Sequence, residues 1–393
     1  MYNFDKIINR ENSYSVKYDL RGEHFGKTDV IPMWVADMDF ETPHFIRDAI
    51  KQRAEHPIYG YSIKPNSYYH SIKNWLQTEH QWEVNKNDIC FSPGVVPGIA
   101  LAITAFTEPE DQIVVQPPVY FPFFISVEEN KRKLIHNQLI EENNNYSIDF
   151  RDLEIKLSDP KTKMLIISNP HNPVGRVWEK DELNKMVDLC HKHQVLILSD
   201  EIHSDLILHG HQHHVLANLS EKAKDISITF MAPSKTFNMA GLSTSFLVIQ
   251  NQALNKQYVK TIEGYHLNIG NVFGNVALEA AYTHGKAWLN ELISYLEQNI
   301  ETVDIFLKEH LPQITFNKPQ ATYLLWLNCK ELGWSDDELS EFFIQEASLG
   351  LNKGSIFGLG GSGYMRMNIA CPLSTLTQAL KQLERAISKN NNK

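Results

Sequence analysis

Cysteine is scarce in this 393-residue chain, with four in all. Cys90, Cys190, Cys329 and Cys371 lie far apart and form no CxxC pair. That distribution suits reduced thiols in the core of a cytoplasmic protein rather than a disulfide framework. Uninterrupted apolar runs of about 18 residues are also missing, so no membrane-crossing helix is expected. The opening MYNFDKIINR lacks a basic stretch followed by an apolar one, so no secretory signal is expected. Lys and Arg are spread through the chain, with no run longer than Lys131-Arg132-Lys133, and the net charge is -10. This argues against a nucleic-acid or anionic-membrane partner, while a few local donors can still hold a small anion. No internal repeat or long low-complexity linker occurs, and the polar tail SKNNNK is expected to fray.

What is present is enough apolar sequence for two packed units, at 42% hydrophobic residues. Five runs, DQIVVQ, KMLIIS, QVLILSD, ISITFMA and TSFLVIQ, read as strands buried on both faces of a parallel sheet. Between them lie amphipathic stretches, such as 179–193, with Leu183, Met186, Val187 and Cys190 at helical spacing. Strands alternating with helices predict a doubly wound α/β unit, assigned to residues 46–284. After it come a long helix over 286–309, a strand-like ATYLLWLN, a helix over 336–347 and a strand-like YMRMNIA. These predict a smaller α+β unit from residues 1–45 and 285–393.

Three polar residues follow strand ends in the larger unit. Asn172 lies in NPHNPVG after KMLIIS, Asp200 closes QVLILSD, and Lys235 lies in APSKTFNMAGL after ISITFMA. An amine, a carboxylate and an amide at one crevice are what a pyridoxal cofactor requires. Taken singly, each has a plainer reading as a solvated loop lysine, a helix cap or a turn.

With these segments in place, the chain resembles the fold-type I pyridoxal-phosphate enzymes of the class I/II aminotransferase family. Within it, PMWVADMDF (32–40) and DEIHSD (200–205) are similar to the cystathionine β-lyase branch, the MalY/PatB-type cysteine-S-conjugate β-lyases. The resemblance implies Lys235 as the Schiff-base lysine, Asp200 as the pyridinium partner and Asn172 as the donor to the phenolate oxygen. His203 stands where many transaminases carry a tyrosine donating to that oxygen, Ile202 would pack under the ring, and Tyr120 would stack on its other face. The backbone of Gly94, Val95 and Val96, in SPGVVPG, would cradle the phosphate at a helix N-terminus, with Ser234 adding a hydroxyl. Arg366 matches the arginine that grips the substrate carboxylate. Tyr61, in HPIYGY, matches a tyrosine that reaches the partner's site, which implies a homodimer with shared sites. Where many relatives carry a phosphate-contacting arginine, this chain has Ser243.

The implied activity is cleavage of L-cystathionine or related S-substituted cysteines to a thiol, pyruvate and ammonia. Generic site residues leave an aminotransferase open, and also a protein of this fold with a regulatory partner-binding role. The tract His209–His214 has the composition of a metal binder, but the expectation is a solvated surface loop and no metal.

Overall fold

In the run TKMLIIS, Met164 and Ile166 pack into one apolar cluster, and Leu165 and Ile167 into another. A strand buried on both faces needs layers above and below it, and the computed structural model, which describes residues 2–390, supplies them. Seven strands form the central sheet: β1 (Ile89–Ser92), β2 (Gln112–Val115), β3 (Lys133–His136), β4 (Thr162–Ser168), β5 (Leu196–Asp200), β6 (Ser227–Met231) and β7 (Ser245–Val248). Their order is β1-β7-β6-β5-β4-β2-β3. The pairs from β6 through to β3 are parallel. β7 runs antiparallel to both β1 and β6, so the sheet is mainly parallel, as expected, with TSFLVIQ as its reversed strand. Burial on both faces selects the same residues whichever way a strand points, which is why its direction was not readable. β1 and β3 complete the two edges; they are absent from the runs singled out in the sequence.

The helix Lys180–His193 carries the chain from β4 back to the start of β5. It buries Leu183, Met186, Val187 and Cys190. Its N-terminus is closed by the Glu182 carboxylate accepting from the Glu179 amide at 3.0 Å, and Gln194 ends it in a left-handed turn. In a second, antiparallel sheet of three strands, β8 (Leu324–Asn328) pairs with β10 (Tyr364–Asn368), which pairs with β9 (Asn352–Lys353). The long helix Lys286–His310 places Trp288, Leu292, Leu296 and Ile300 in a cluster with Leu325 and Met367 of this sheet. That cluster also takes in Met33, Met38, Trp75 and Phe237, so the apolar core is continuous between the two sheets.

The N-terminal segment is bound to this second layer. Ile31–Pro32 pairs with Leu349–Gly350, and the Asn368 amide donates to the Met33 carbonyl at 2.9 Å. Arg10 bridges Asp37 at 2.8 Å and Asp39 at 2.7 Å, and Lys17 reaches Asp39 at 3.0 Å. Two boundaries differ from the sequence reading. The helix expected over 336–347 is α-helical only as Asp336–Glu341, then continues as a π turn. The helix Leu373–Asn390 takes in the first part of the tail expected to fray, and residues 391–393 lie outside those described. All four cysteines are free and buried. No described helix is long and apolar enough to cross a membrane.

Candidate active site

Parallel strands deliver their carboxyl ends to one edge of the sheet, where ligands of this architecture bind. β1, β4, β5 and β6 end there, and the reversed β7 starts there, its Ser245 paired with Ser92. A cavity of about 310 Å³ opens at that edge. Lys235, Asp200, His203, Asn172, Tyr120, Ile202, Ser234, Gly94, Val95 and Val96 all line it, as does Ser243.

The helix Val95–Phe106 starts at the cavity with Gly94 as its N-cap. Its first-turn amides have no intrahelical acceptor, and together with the helix dipole they suit an anion. Gly98 lets this helix lie close on the sheet, since a Cβ there would sit 2.7 Å from Ser92 Oγ and 3.1 Å from the Phe230 ring. Lys235 sits in the short helix Pro233–Thr236 after β6, and its Nζ donates to the Ala36 carbonyl at 2.7 Å. Desolvation pushes its ammonium down to about 8. Asp200 closes β5; burial raises its carboxyl to about 7, against a donor from the Ile202 amide at 3.1 Å. The Lys235 ammonium acts on it through space and favours its charged form, and a cationic ring nitrogen placed there would favour that form further.

His203 is 3% exposed, and burial pushes it down to about 3, so its ring is neutral. Its Nδ1 has no hydrogen-bond partner among the described residues. Arg366 lies behind Asn172 rather than on the cavity wall. Its guanidinium donates to Asn172 Oδ1 at 3.1 Å, the Trp34 carbonyl at 3.0 Å and Asn352 Oδ1 at 2.7 Å. All three acceptors are neutral, and desolvation lowers Arg366 to about 10. A buried guanidinium without a carboxylate, whose Nε has no partner among the described residues, is prepared for an anionic ligand. An amine, a carboxylate, a neutral imidazole and an anion cradle with a nearby guanidinium are a donor set that fits pyridoxal phosphate and an amino acid.

Tyr61 is not at this cavity. It is 98% exposed on the chain's own surface. The structure adds residues that the sequence reading passed over. The Ala36 carbonyl accepts from both Lys235 and the Tyr323 hydroxyl, the latter at 3.0 Å, and Asn352 and Trp34 hold Arg366. Ala36 and Trp34 lie within PMWVADMDF, but a backbone oxygen leaves no mark in residue type. The histidine tract also departs from expectation. The His213 side chain is 3% exposed, with Nε2 2.7 Å from Glu201 Oε2, and His209 Nδ1 lies 2.5 Å from Glu297 Oε2. The tract is therefore partly structural, held by one carboxylate 12 residues away and another 88 residues away. Among the described residues no group of three or more His, Cys, Asp or Glu is placed to hold a metal ion.

The family model for aminotransferase class I and II matches residues 28–383. The chain belongs to that family. Among the family's characterised proteins, it is 46% identical to cystathionine beta-lyase PatB of Bacillus subtilis strain 168, over 98% of this chain and all of that protein. Cystalysin of Treponema denticola, whose structure contains a pyridoxal 5'-phosphate cofactor, superposes with a TM-score of 0.96 at 35% identity, covering 99% of each chain. The PLP-bound C-S lyase of Staphylococcus hominis does so with a TM-score of 0.90 at 33% identity, covering 98% of each. The mixed, mostly parallel sheet and its helices are the fold-type I arrangement of these class I and II relatives.

Proposed function

We propose that the protein is a pyridoxal-phosphate-dependent carbon–sulfur β-lyase that cleaves L-cystathionine or a related S-substituted cysteine to a thiol, pyruvate and ammonia. The convergence of Lys235, Asp200 and Asn172 at one cavity, with Arg366 held directly behind Asn172, supports the reaction class. The choice of lyase is carried by the full-length similarity to cystathionine beta-lyase PatB.

When bound, pyridoxal phosphate supplies an electron sink for the pair left at Cα of the amino acid. The remaining work falls to this chain's residues. The amides of Gly94, Val95 and Val96, with the Ser234 hydroxyl, would hold the phosphate. Asp200 would keep the ring nitrogen protonated, and Asn172 and His203 would donate to the ring oxygen. Arg366 would take the substrate carboxylate, which fixes Cα near Lys235. With a value of about 8, the Lys235 amine is neutral in a useful fraction near neutral pH and can accept the Cα proton. Loss of that proton lets the β-substituent depart, and a thiolate is a ready leaving group because thiols ionise near pH 8.5. Water then supplies the oxygen of pyruvate as ammonia is freed.

The reading extends to the assembly: a cytoplasmic homodimer in which Tyr61 of each subunit enters its partner's site. The exposed position of Tyr61 and the free cysteines support it. It also takes residues 46–284 as the cofactor unit and 1–45 with 285–393 as the smaller one; the two separate sheets support that division. A panel of S-substituted cysteines tests the activity. The expected result is equimolar thiol, pyruvate and ammonia without any keto acid. Turnover that required 2-oxoglutarate, with glutamate formed and no free thiol, would convict the protein of being an aminotransferase.

A further inference from the structure

The four-residue helix Pro233–Thr236 that carries Lys235 is too short to hold its own shape, since nucleating a single turn is unfavourable. The amine must nevertheless meet its target within a fraction of an ångström. Thr236, next in sequence and fully buried, points away from the cavity into a polar contact. Its Oγ1 donates to Asp205 Oδ2 at 2.8 Å. The other oxygen of that carboxylate accepts from Trp75 Nε1 at 2.9 Å and lies 2.8 Å from His80 Nε2. Trp75 and His80 both belong to the helix Asn66–His80, and the Trp75 ring also lies 5.8 Å from that of Phe237, which ends the lysine turn.

We propose that Asp205 is a positioning residue for Lys235, a carboxylate clamp that ties the lysine turn through the Thr236 hydroxyl to the helix Asn66–His80. The inference rests on the reading of Lys235 given above and deepens it. A carboxylate with 5% of its side chain exposed is costly to bury, and an apolar side chain would fill the space more cheaply if packing were the only requirement. What the charge adds is direction. Both oxygens are engaged, so the carboxylate plane is fixed, and the Thr236 hydroxyl is fixed with it. Beside this clamp stands a second buried pair, Glu201 with His213, whose ring lies 5.8 Å from that of His80. The Glu201 carboxylate accepts from Ser199 Oγ at 2.7 Å and the Leu216 amide at 3.1 Å, which holds it against β5 rather than against the lysine turn. The clamp therefore reaches the lysine through Thr236.

Thr236→Val keeps the shape and removes the hydroxyl, while Thr236→Ser keeps the hydroxyl. Each apoprotein is mixed with pyridoxal 5'-phosphate, and the rate of forming a borohydride-fixable bond to Lys235 is followed beside kcat, KM and the melting temperature. The Val variant should capture the cofactor and turn over about tenfold more slowly, with KM within about twofold, because misplacing a reacting group is felt in the rate. The Ser variant should recover to within about twofold of wild type. Asp205→Asn should add nothing when combined with Thr236→Val, the signature of one shared contact. Wild-type capture rates in the Val variant, or equal impairment of Val and Ser, overturn the clamp and leave the lyase reading standing. Absence of any fixable bond in the wild-type chain overturns both.

Discussion

Lys235, Asp200 and Asn172 were legible as a set rather than singly, because Asp200 closes a strand and the other two follow strand ends, where this kind of sheet places its chemistry. The groups that orient them were not. Ala36 acts through a carbonyl, and Asn352, Tyr323 and Asp205 come from segments whose nearness only folding reveals. Two predictions belong at this scale. On the proposed reading Lys235 reacts only as the neutral amine, and burial holds its ammonium below that of a free lysine. The rate of cofactor capture by apoprotein should therefore rise with pH through a midpoint near 8, not above 10, in stopped-flow absorbance. Arg366→Ala should keep the cofactor and raise KM for S-substituted cysteines by at least about 30-fold, the lower end of what truncating a buried charged pair costs. An unchanged KM would place the carboxylate elsewhere.

The helix Val95–Phe106 shows how an element is placed for its end rather than its middle. Its apolar face, with Ile99, Ala102 and Ile103 buried, sits on the sheet, and that contact aims the Gly94 end at the cavity. The sequence SPGVVPG announced a helix start. The need for glycine at position 98 is a tertiary fact, set by Ser92 and Phe230. Gly98→Ala should push the helix off the sheet at a cost of about 1–3 kcal/mol. Cofactor affinity, read by equilibrium absorbance titration, should fall more than substrate KM rises. Wild-type affinity in that variant would mean that the helix end is not the phosphate cradle. The reversed β7 makes the complementary point, since its composition matched its neighbours while its direction did not.

For the whole molecule, the exposed apolar segment around Tyr61 carries the prediction. Ile63 is 82% exposed and Tyr61 98%, beside Ile58 and Tyr59, an unusual grouping for a surface facing only water. If subunits share sites, a Tyr61→Ala chain and a Lys235→Ala chain are each inactive alone. Their isolated heterodimer should regain about half of wild-type activity, one intact site in two. No recovery above the single variants would end the shared-site reading. The sequence by itself determined the alternation of strands and helices, the placing of Lys235 and Asp200 at strand ends, and the cystathionine β-lyase-like segments. These are local signals, written in residue type and spacing. Tertiary structure alone decided that β7 is reversed, that Arg366 is held by neutral acceptors behind Asn172, that part of the histidine tract is buried on Glu201, and that Asp205 reaches the lysine turn. Those facts depend on which distant segments meet, and a pattern within one segment carries no record of its neighbours.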